Sequence, residues 1–255
     1  MGRLEGKVAL ITGASSGIGF DTARAMSEEG AFVFMTARRK DVLEKAAGSL
    51  GTNARAIAAD VSKRSDMENV MKIIKEEKGH LDVIFANAGI GRYVSLQDVT
   101  DDEFHRVFDV NVLGTIHTVQ CMLPILSYGA SIIINTSMTA SMGLPNFCVY
   151  EASKSAVRSF IFTWTAELRD RRIRVNALSP GVIPTAAAGG ELGRSPEEEK
   201  KAQEYRASLT PLGRVGKVSD ISSAAVFLAS DESSYITSTE LTVDGGLSRV
   251  FPVKL

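Results

Sequence analysis

Val8-Ala9-Leu10-Ile11-Thr12-Gly13-Ala14-Ser15-Ser16-Gly17-Ile18-Gly19 is a short apolar run, a glycine turn and the opening of a helical pattern that continues from Phe20 to Glu29. A strand, a glycine turn and a helix are the parts of a pyrophosphate site. Gly13 permits the tight turn, Gly17 leaves room for backbone beside a phosphate, Gly19 lets helix and strand pack, and the helix amino-terminus favours an anion. The same residues also describe a tight βα connection with no ligand. The rest of the chain has to decide between the two.

Working outward, the strand–helix alternation repeats. Ala31 to Thr36 reads as a second strand, Asn53 to Ala59 as a third, Leu81 to Ala86 as a fourth, the hydrophobic run Ser131 to Ser137 as the next and Ile173 to Leu178 as a sixth. Helical patterns over Ser62 to Lys78, Asp102 to Leu126 (with a kink before Pro124) and Val149 to Asp170 lie between them. Such alternation builds an α/β fold. At the end of the second strand, Ala37-Arg38-Arg39-Lys40 contains no carboxylate. A carboxylate there would accept from a ribose 2′-hydroxyl, whereas arginine can hold a 2′-phosphate; the same three basic residues also suit a solvated start to the next helix.

Chemistry concentrates in the middle of the chain. Tyr150 and Lys154 lie four positions apart, so on a helix they share a face and the ammonium can favour the ionised phenol. Ser137 offers a hydroxyl at the carboxyl end of a strand, where open α/β sheets bind ligands. Asn111 falls in the buried middle of a helical pattern although asparagine is a mediocre helix former. An interhelical hydrogen bond accounts for it as readily as a part in proton transfer. His80, His105 and His117 form no compact metal-ligand pattern, and no metal is expected. Ser137 is not in a Gly-x-Ser-x-Gly elbow, which argues against serine hydrolase chemistry.

Composition bounds the rest. The 255 residues carry a net charge of -1, with 44% hydrophobic and 23% charged positions, and give no electrostatic footprint for nucleic acid. Met1 to Lys7 has no apolar signal core, and no apolar stretch is long enough to span a bilayer, so no membrane partner is expected. Cys121 and Cys148 suit reduced, partly buried thiols, which places the chain in the cytoplasm. The length fits one doubly wound domain over 1–255.

The glycine spacing, Asn87-Ala88-Gly89, Ser137 thirteen positions before Tyr150, the Tyr150–Lys154 pair, Pro180-Gly181 and Val243-Asp244-Gly245-Gly246 follow one another in an order that resembles the classical short-chain dehydrogenase/reductase family. The resemblance implies a Rossmann-like fold with seven parallel strands in the order 3-2-1-4-5-6-7 and helices on both faces. It implies a catalytic tetrad of Asn111, Ser137, Tyr150 and Lys154, with Asn111 bending its helix and holding a water that links the lysine to solvent. For the cofactor it implies contacts from Gly13, Ser15, Ser16, Gly17, Ile18 and Gly19. Ala37 takes the place of the family's acid and Arg38 follows it, the pattern associated with NADP(H), with Arg39 beside it. Asp60 and Val61 would flank the adenine, although Asp60 serves equally as a helix cap. Asn87, Ala88 and Gly89 would border the cofactor, as would Tyr150 and Lys154. In the Pro180-Gly181 segment, the backbone of Ile183 would meet the nicotinamide carboxamide and Thr185 would reach the carboxamide or the phosphates.

The segment of about 185–210 reads as a substrate lid or a solvated loop. The aromatic stripe with Trp164 reads as core or subunit contact, and the last helix and strand imply a homotetramer. The activity implied is reduction of ketones or aldehydes by NADPH, reversible as an alcohol dehydrogenase. A 3-oxoacyl-carrier-protein reductase using Arg171 and Arg172 for docking is the alternative, although Leu126-Ser127-Tyr128-Gly129 lacks a basic residue that such enzymes commonly carry. A nucleotide-sensing binding protein without turnover is the alternative of another class; sensors of that kind typically lose the tyrosine or lysine.

Overall fold

The computed structural model describes residues 2–185 and 195–250. Its seven strands form one parallel sheet in the expected order, β3-β2-β1-β4-β5-β6-β7. They are β1 (Val8–Thr12), β2 (Phe32–Ala37), β3 (Ala54–Ala58), β4 (Leu81–Ala86), β5 (Leu126–Asn135), β6 (Arg174–Pro180) and β7 (Glu240–Val243). The helices are α1 (Gly17–Glu28), α2 (Lys40–Gly48), α3 (Arg64–Lys78), α4 (Asp101–Phe108), α5 (Gly114–Met122), α6 (Cys148–Glu167), α7 (Pro196–Leu209) and α8 (Val218–Ala229).

The opening strand shows why its sequence is apolar at every step. Val8 and Leu10 enter one core layer with Met67 of α3, Met122 of α5 and Val157 of α6. Ala9 and Ile11 enter the opposite layer with Met26 of α1, Leu43 of α2 and Ile221 of α8. A strand covered on both faces has no polar side to alternate with. β1 pairs with β2 on one edge and β4 on the other, so the strand order reverses there and leaves a crevice at the carboxyl ends.

The expected long helix from Asp102 to Leu126 is not continuous. After α4 the backbone makes a π-helical turn over Asp109–Leu113, resumes as α5, and ends in a 3₁₀ turn at Leu123–Ile125 that contains Pro124. The distortion therefore centres on Asn111 and not on the proline, whose missing N–H marks where the helix stops. Leu126, expected as the helix end, opens β5. Gly114 follows the π turn because α5 crosses close to Val61: an added Cβ would stand 2.6 Å from Val61 Cγ2.

Other boundaries shift by a few residues. α3 begins at Arg64 with Lys63 at its N-cap, so Asp60 does not cap it. Asp60 Oδ1 instead accepts from the Ser62 amide (3.0 Å) and hydroxyl (2.7 Å) in a local turn. β6 runs on through Pro180, and α6 stops at Glu167 before a turn in which Arg172 takes φ 51. Both thiols are free, but Cys148 is exposed rather than partly buried. The expected lid falls in part on residues 186–194, outside the described residues; its helical part is α7, opened by a capping box between Ser195 and Glu198.

Candidate active site

Asn87 ties three strand ends together. Its side-chain amide donates to the Thr12 (2.9 Å) and Gly13 (3.3 Å) carbonyls, and its Oδ1 accepts from Asn135 Nδ2 (2.9 Å). Thr12 Oγ1 in turn accepts from the amides of Asn87 (3.1 Å) and Ala88 (3.0 Å). The ends of β1, β4 and β5 are thereby locked side by side. The glycine turn fits against this knot: a Cβ on Gly13 would meet Ala88 Cα at 2.9 Å, and one on Gly19 would meet the Gly13 carbonyl oxygen at 2.4 Å. A Cβ on Gly17, at φ +58, would instead stand 3.1 Å from Thr185 Cγ2 across the crevice.

Ser16 is the N-cap residue of α1 but its side chain caps nothing. That leaves its hydroxyl and the positive end of α1 facing the crevice, the arrangement that receives an anion.

α6 brings in the titratable groups. Its buried positions Ser153, Lys154, Val157 and Ile161 form one stripe, which draws Lys154 into the interior. Lys154 Nζ donates to the Asn135 carbonyl (2.8 Å) and sits 5.7 Å from the centre of the Tyr150 ring. Burial pulls the ammonium down to about 8. Asn111 is also buried: its Oδ1 accepts from the Ile90 amide (2.8 Å), and its Nδ2 donates to the Ile90 carbonyl (2.9 Å) and to Ser153 Oγ (2.9 Å). Ser153 Oγ donates to the Tyr150 carbonyl (2.6 Å). Asn111 thus makes the interhelical bond that sequence left open, and it holds α6 against the segment after Gly89.

Ser137, at the end of β5, is mostly buried and faces the same crevice as Tyr150 and Lys154. The crevice holds about 380 Å³ and is walled by the apolar and aromatic Ile90, Leu144, Tyr93 and Phe147 and, from α7, by Glu199 and Arg206, which pair at 3.6 Å. Phe147 stacks on Tyr150 (4.4 Å between ring centres) and on Tyr93 (4.4 Å). The loops that carry Tyr93 and Phe147 are joined by the Val94 amide on the Asn146 carbonyl (2.7 Å). Gly91 presses on the catalytic candidate itself: an added Cβ would stand 2.6 Å from Tyr150 Cδ2.

The remaining expected residues divide. Ser16, Gly17, Ile18, Asn87, Ala88 and Gly89 line the crevice, as do Gly181, Ile183 and Thr185. Ser15 sits in the turn beside them, and Pro180 is buried in the sheet as the last residue of β6. Arg38 and Arg39 lie beyond the crevice, exposed where β2 ends. Val61 is buried, its carbonyl 3.1 Å from His117 Nδ1. Residues that sequence reasoning missed include Thr12, Asn135, Ser153 and Thr139; their signal was polar side chains at strand ends and one turn of α6, weak without the pairing.

A second cavity, of about 410 Å³, shares Gly181, Val182 and Ile183 with the crevice, but its charged residues are engaged: Arg214 and Asp220 with each other (2.7 Å), and Asp244 with the amides of Gly246 (2.8 Å) and Ser248 (2.8 Å). Among the described residues no three His, Cys, Asp or Glu side chains gather as metal ligands, and no helix is long and apolar enough to cross a membrane.

Comparison with known proteins agrees with this geometry. The family described as enoyl-(acyl carrier protein) reductase matches residues 13–248. The oxidoreductase asL5 of Sarocladium schorii is 40% identical over 97% of this chain and 98% of its own. The 3-oxoacyl-[acyl-carrier-protein] reductase FabG of Thermotoga maritima is 38% identical over 96% and 99%, and versicolorin reductase 1 of Dothistroma septosporum is 38% identical over 97% and 98%. Among solved structures, a 3-ketoacyl-(acyl-carrier-protein) reductase of Brucella melitensis complexed with NADH superposes with a TM-score of 0.88 at 35% identity, covering 96% of this chain and 99% of that one. With a parallel sheet that reverses at β1, a glycine turn at the reversal and relatives that match end to end, the chain belongs to the short-chain dehydrogenase/reductase family of oxidoreductases, which use nicotinamide cofactors.

Proposed function

We propose that the protein is an NADPH-dependent reductase of ketones and aldehydes, reversible as an alcohol dehydrogenase and built as one domain. The observation that carries the reading is one crevice in which the Ser137 hydroxyl, Tyr150 and a buried Lys154 stand beside the glycine turn. The residues fit a dinucleotide. Gly13 and Gly19 leave no room for side chains, Ser16 keeps its hydroxyl off its own helix, and Asn135 Oδ1 is a buried acceptor without a partner among the described residues. Gly13 to Gly19 would hold the pyrophosphate, Lys154 the ribose hydroxyls, and Ile183 and Thr185 the carboxamide end. Asp60 and Val61 would border the adenine through backbone and apolar surface, since the Asp60 carboxylate is engaged by Ser62.

When bound, NADPH supplies a hydride from C4 of its nicotinamide. Tyr150 gives the substrate oxygen its proton, and Ser137 holds that oxygen while negative charge develops. An isolated phenol, with a pKa of about 10, is a poor acid–base group near neutrality. The adjacent Lys154 ammonium favours the phenolate that is left behind. Asn111 keeps α6 and the Ile90 segment in register around the pair. Tyr150→Phe is expected to lower turnover at least about a thousandfold, with NADPH affinity, measured by fluorescence titration, largely kept. Near-normal turnover in that variant overturns the assignment.

The preference for NADP(H) rests on Arg38. Among the described residues neither Arg38 nor Arg39 has a carboxylate within ion-pair distance, so both guanidiniums are available to a 2′-phosphate. Arg38→Ala is expected to weaken NADPH binding about tenfold more than NADH binding; equal weakening refutes the phosphate clamp. A homotetramer in the cytoplasm completes the reading, with exposed Phe104 and Phe162 as apolar surface for subunit contact; analytical ultracentrifugation measures the assembly.

A carrier-protein reductase ranks second, supported by the relative from Thermotoga maritima. Against it, Arg171 is engaged by the carbonyls of Leu123 (2.8 Å) and Leu126, at the opposite end of β5 from Ser137. A salt-sensitive preference for an acyl-carrier substrate over a simple ketone reverses the ranking, and a ketone panel that leaves NADPH absorbance unchanged favours a nucleotide sensor.

A further inference from the structure

We propose that Thr139 is a positioning residue that fixes the polarity of Ser137, so that the Ser137 hydroxyl enters the crevice only as a hydrogen-bond donor. The inference rests on the reading that Ser137 holds the substrate oxygen. A serine hydroxyl has one hydrogen to give and two lone pairs to receive with. Thr139 fills both: its amide donates to Ser137 Oγ at 3.2 Å and its hydroxyl donates to the same atom at 3.0 Å. Ser137 then has only its hydrogen left to offer, and Thr139 can no longer be the acceptor.

Thr139 sits in a braced turn at the crevice wall. It lies in the 3₁₀ turn Met138–Ala140, which is closed by the Ala140 amide on the Ser137 carbonyl (2.9 Å) and tied to α6 by Ser155 Oγ on the Ala140 carbonyl (3.2 Å). Thr139 is 6% exposed, and its β-branched side chain has few rotamers to choose from. The hydroxyl therefore stays on Ser137. Donation into Oγ also polarises the Ser137 O–H, which strengthens the bond it gives.

The polarity suits both directions of the reaction. In reduction, the carbonyl oxygen gains negative charge as hydride adds to carbon, and a fixed donor stabilises that charge before Tyr150 delivers the proton. In oxidation, the alcohol gives its proton to the Tyr150 phenolate and can accept from Ser137 at the same time. A serine free to accept from the alcohol would compete with Tyr150 for that proton.

The test compares Thr139→Val, which keeps shape and loses the hydroxyl, with Thr139→Ser, which keeps the hydroxyl, and Thr139→Ala as a second deletion should valine not fold. The substrate is whichever of acetophenone, ethyl acetoacetate and 2-decanone the wild type reduces fastest with NADPH. Thr139→Val and Thr139→Ala are expected to lower kcat about tenfold, with KM and the NADPH dissociation constant within about twofold, and Thr139→Ser to stay within about twofold throughout. In a Ser137→Ala background, Thr139→Val is expected to have no further effect on kcat, because its action passes through Ser137. A wild type inactive on all three ketones, or indifferent to Ser137→Ala, overturns the functional reading and the proposal with it. Activity that depends on Ser137 but not on the Thr139 hydroxyl overturns the proposal alone, as does an equal Thr139→Val loss with and without Ser137.

Discussion

Among the described residues two cations are buried, one at each end of the sheet, and they are treated differently. Arg174 opens β6 at the amino edge, where its guanidinium donates to Ser233 Oγ (2.9 Å) and to the carbonyls of Leu228 (3.0 Å), Ser230 (3.2 Å) and Ile236 (3.4 Å). It closes the carboxyl end of α8 and the turn beyond. Lys154 stands at the carboxyl edge and, among the described residues, gives one hydrogen bond, to the Asn135 carbonyl. Burial lowers the pKa of both, but arginine starts so high that it stays charged. A buried cation with its donors engaged is part of the architecture. One with donors to spare is costly to keep and marks where a ligand completes the set.

Exchanging each for methionine breaks the comparison most directly. Lys154→Met is expected to lower ketone turnover by about a thousandfold or more, through the loss of phenolate stabilisation and of the ribose contact, while stability at neutral pH holds or rises. Arg174→Met is expected to do the reverse. It strands several buried carbonyls and should cost about 3 kcal/mol of stability by urea unfolding, with turnover per folded molecule close to wild type. If Arg174→Met abolishes turnover in fully folded protein, or Lys154→Met unfolds the chain, the division between the two ends of the sheet fails.

Sequence distinguishes these ends unevenly. The strands were legible because burial on both faces leaves continuous apolar runs such as Val8 to Ile11, and the glycine turn because close backbone approach at Gly13 and Gly19 excludes other residues. Tyr150 and Lys154 were legible through their spacing on one helix. The bend at Asn111 was legible only through the family resemblance, and its π-helical form was not, since one extra residue in a turn changes neither composition nor apolar pattern. Arg174 carries no local mark of its role either: its acceptors, Leu228 to Ile236, arrive from far along the chain. Thr139 is legible only once Ser137 is known to need an orientation.

A smaller disturbance probes the carboxyl edge without removing any chemical group. Gly91 has no room for a methyl group beside Tyr150, where the added carbon would lie 2.6 Å from Cδ2 and 3.1 Å from Cε2. Phe147 stacks on the same tyrosine, so the ring has little freedom to withdraw. Gly91→Ala is expected to lower turnover about thirtyfold by displacing the phenol, because small misplacements of a reacting group are expensive. NADPH affinity and the unfolding midpoint should change little. Turnover within a factor of two of wild type would show that the ring yields without consequence.

The most gradual effect is a slope in stability with pH. Lys154 titrates at about 8 in the folded apoprotein, against an ordinary value of 10.5. Between these values the folded chain has released a proton that the unfolded chain still binds, so stability gains on raising pH. Below about pH 8 the cost of the buried charge is present in full, and above 10.5 it has been relieved. The contribution amounts to about 1 kcal/mol per pH unit inside the window. Other groups titrate there as well, so the measure is the difference between wild type and Lys154→Met in urea unfolding from pH 7.5 to 10.5. That difference is expected to narrow as pH rises, because methionine has no proton to lose. Parallel curves would mean that Lys154 is hydrated enough to keep an ordinary pKa, and the contrast with Arg174 would then rest on hydrogen-bond geometry alone.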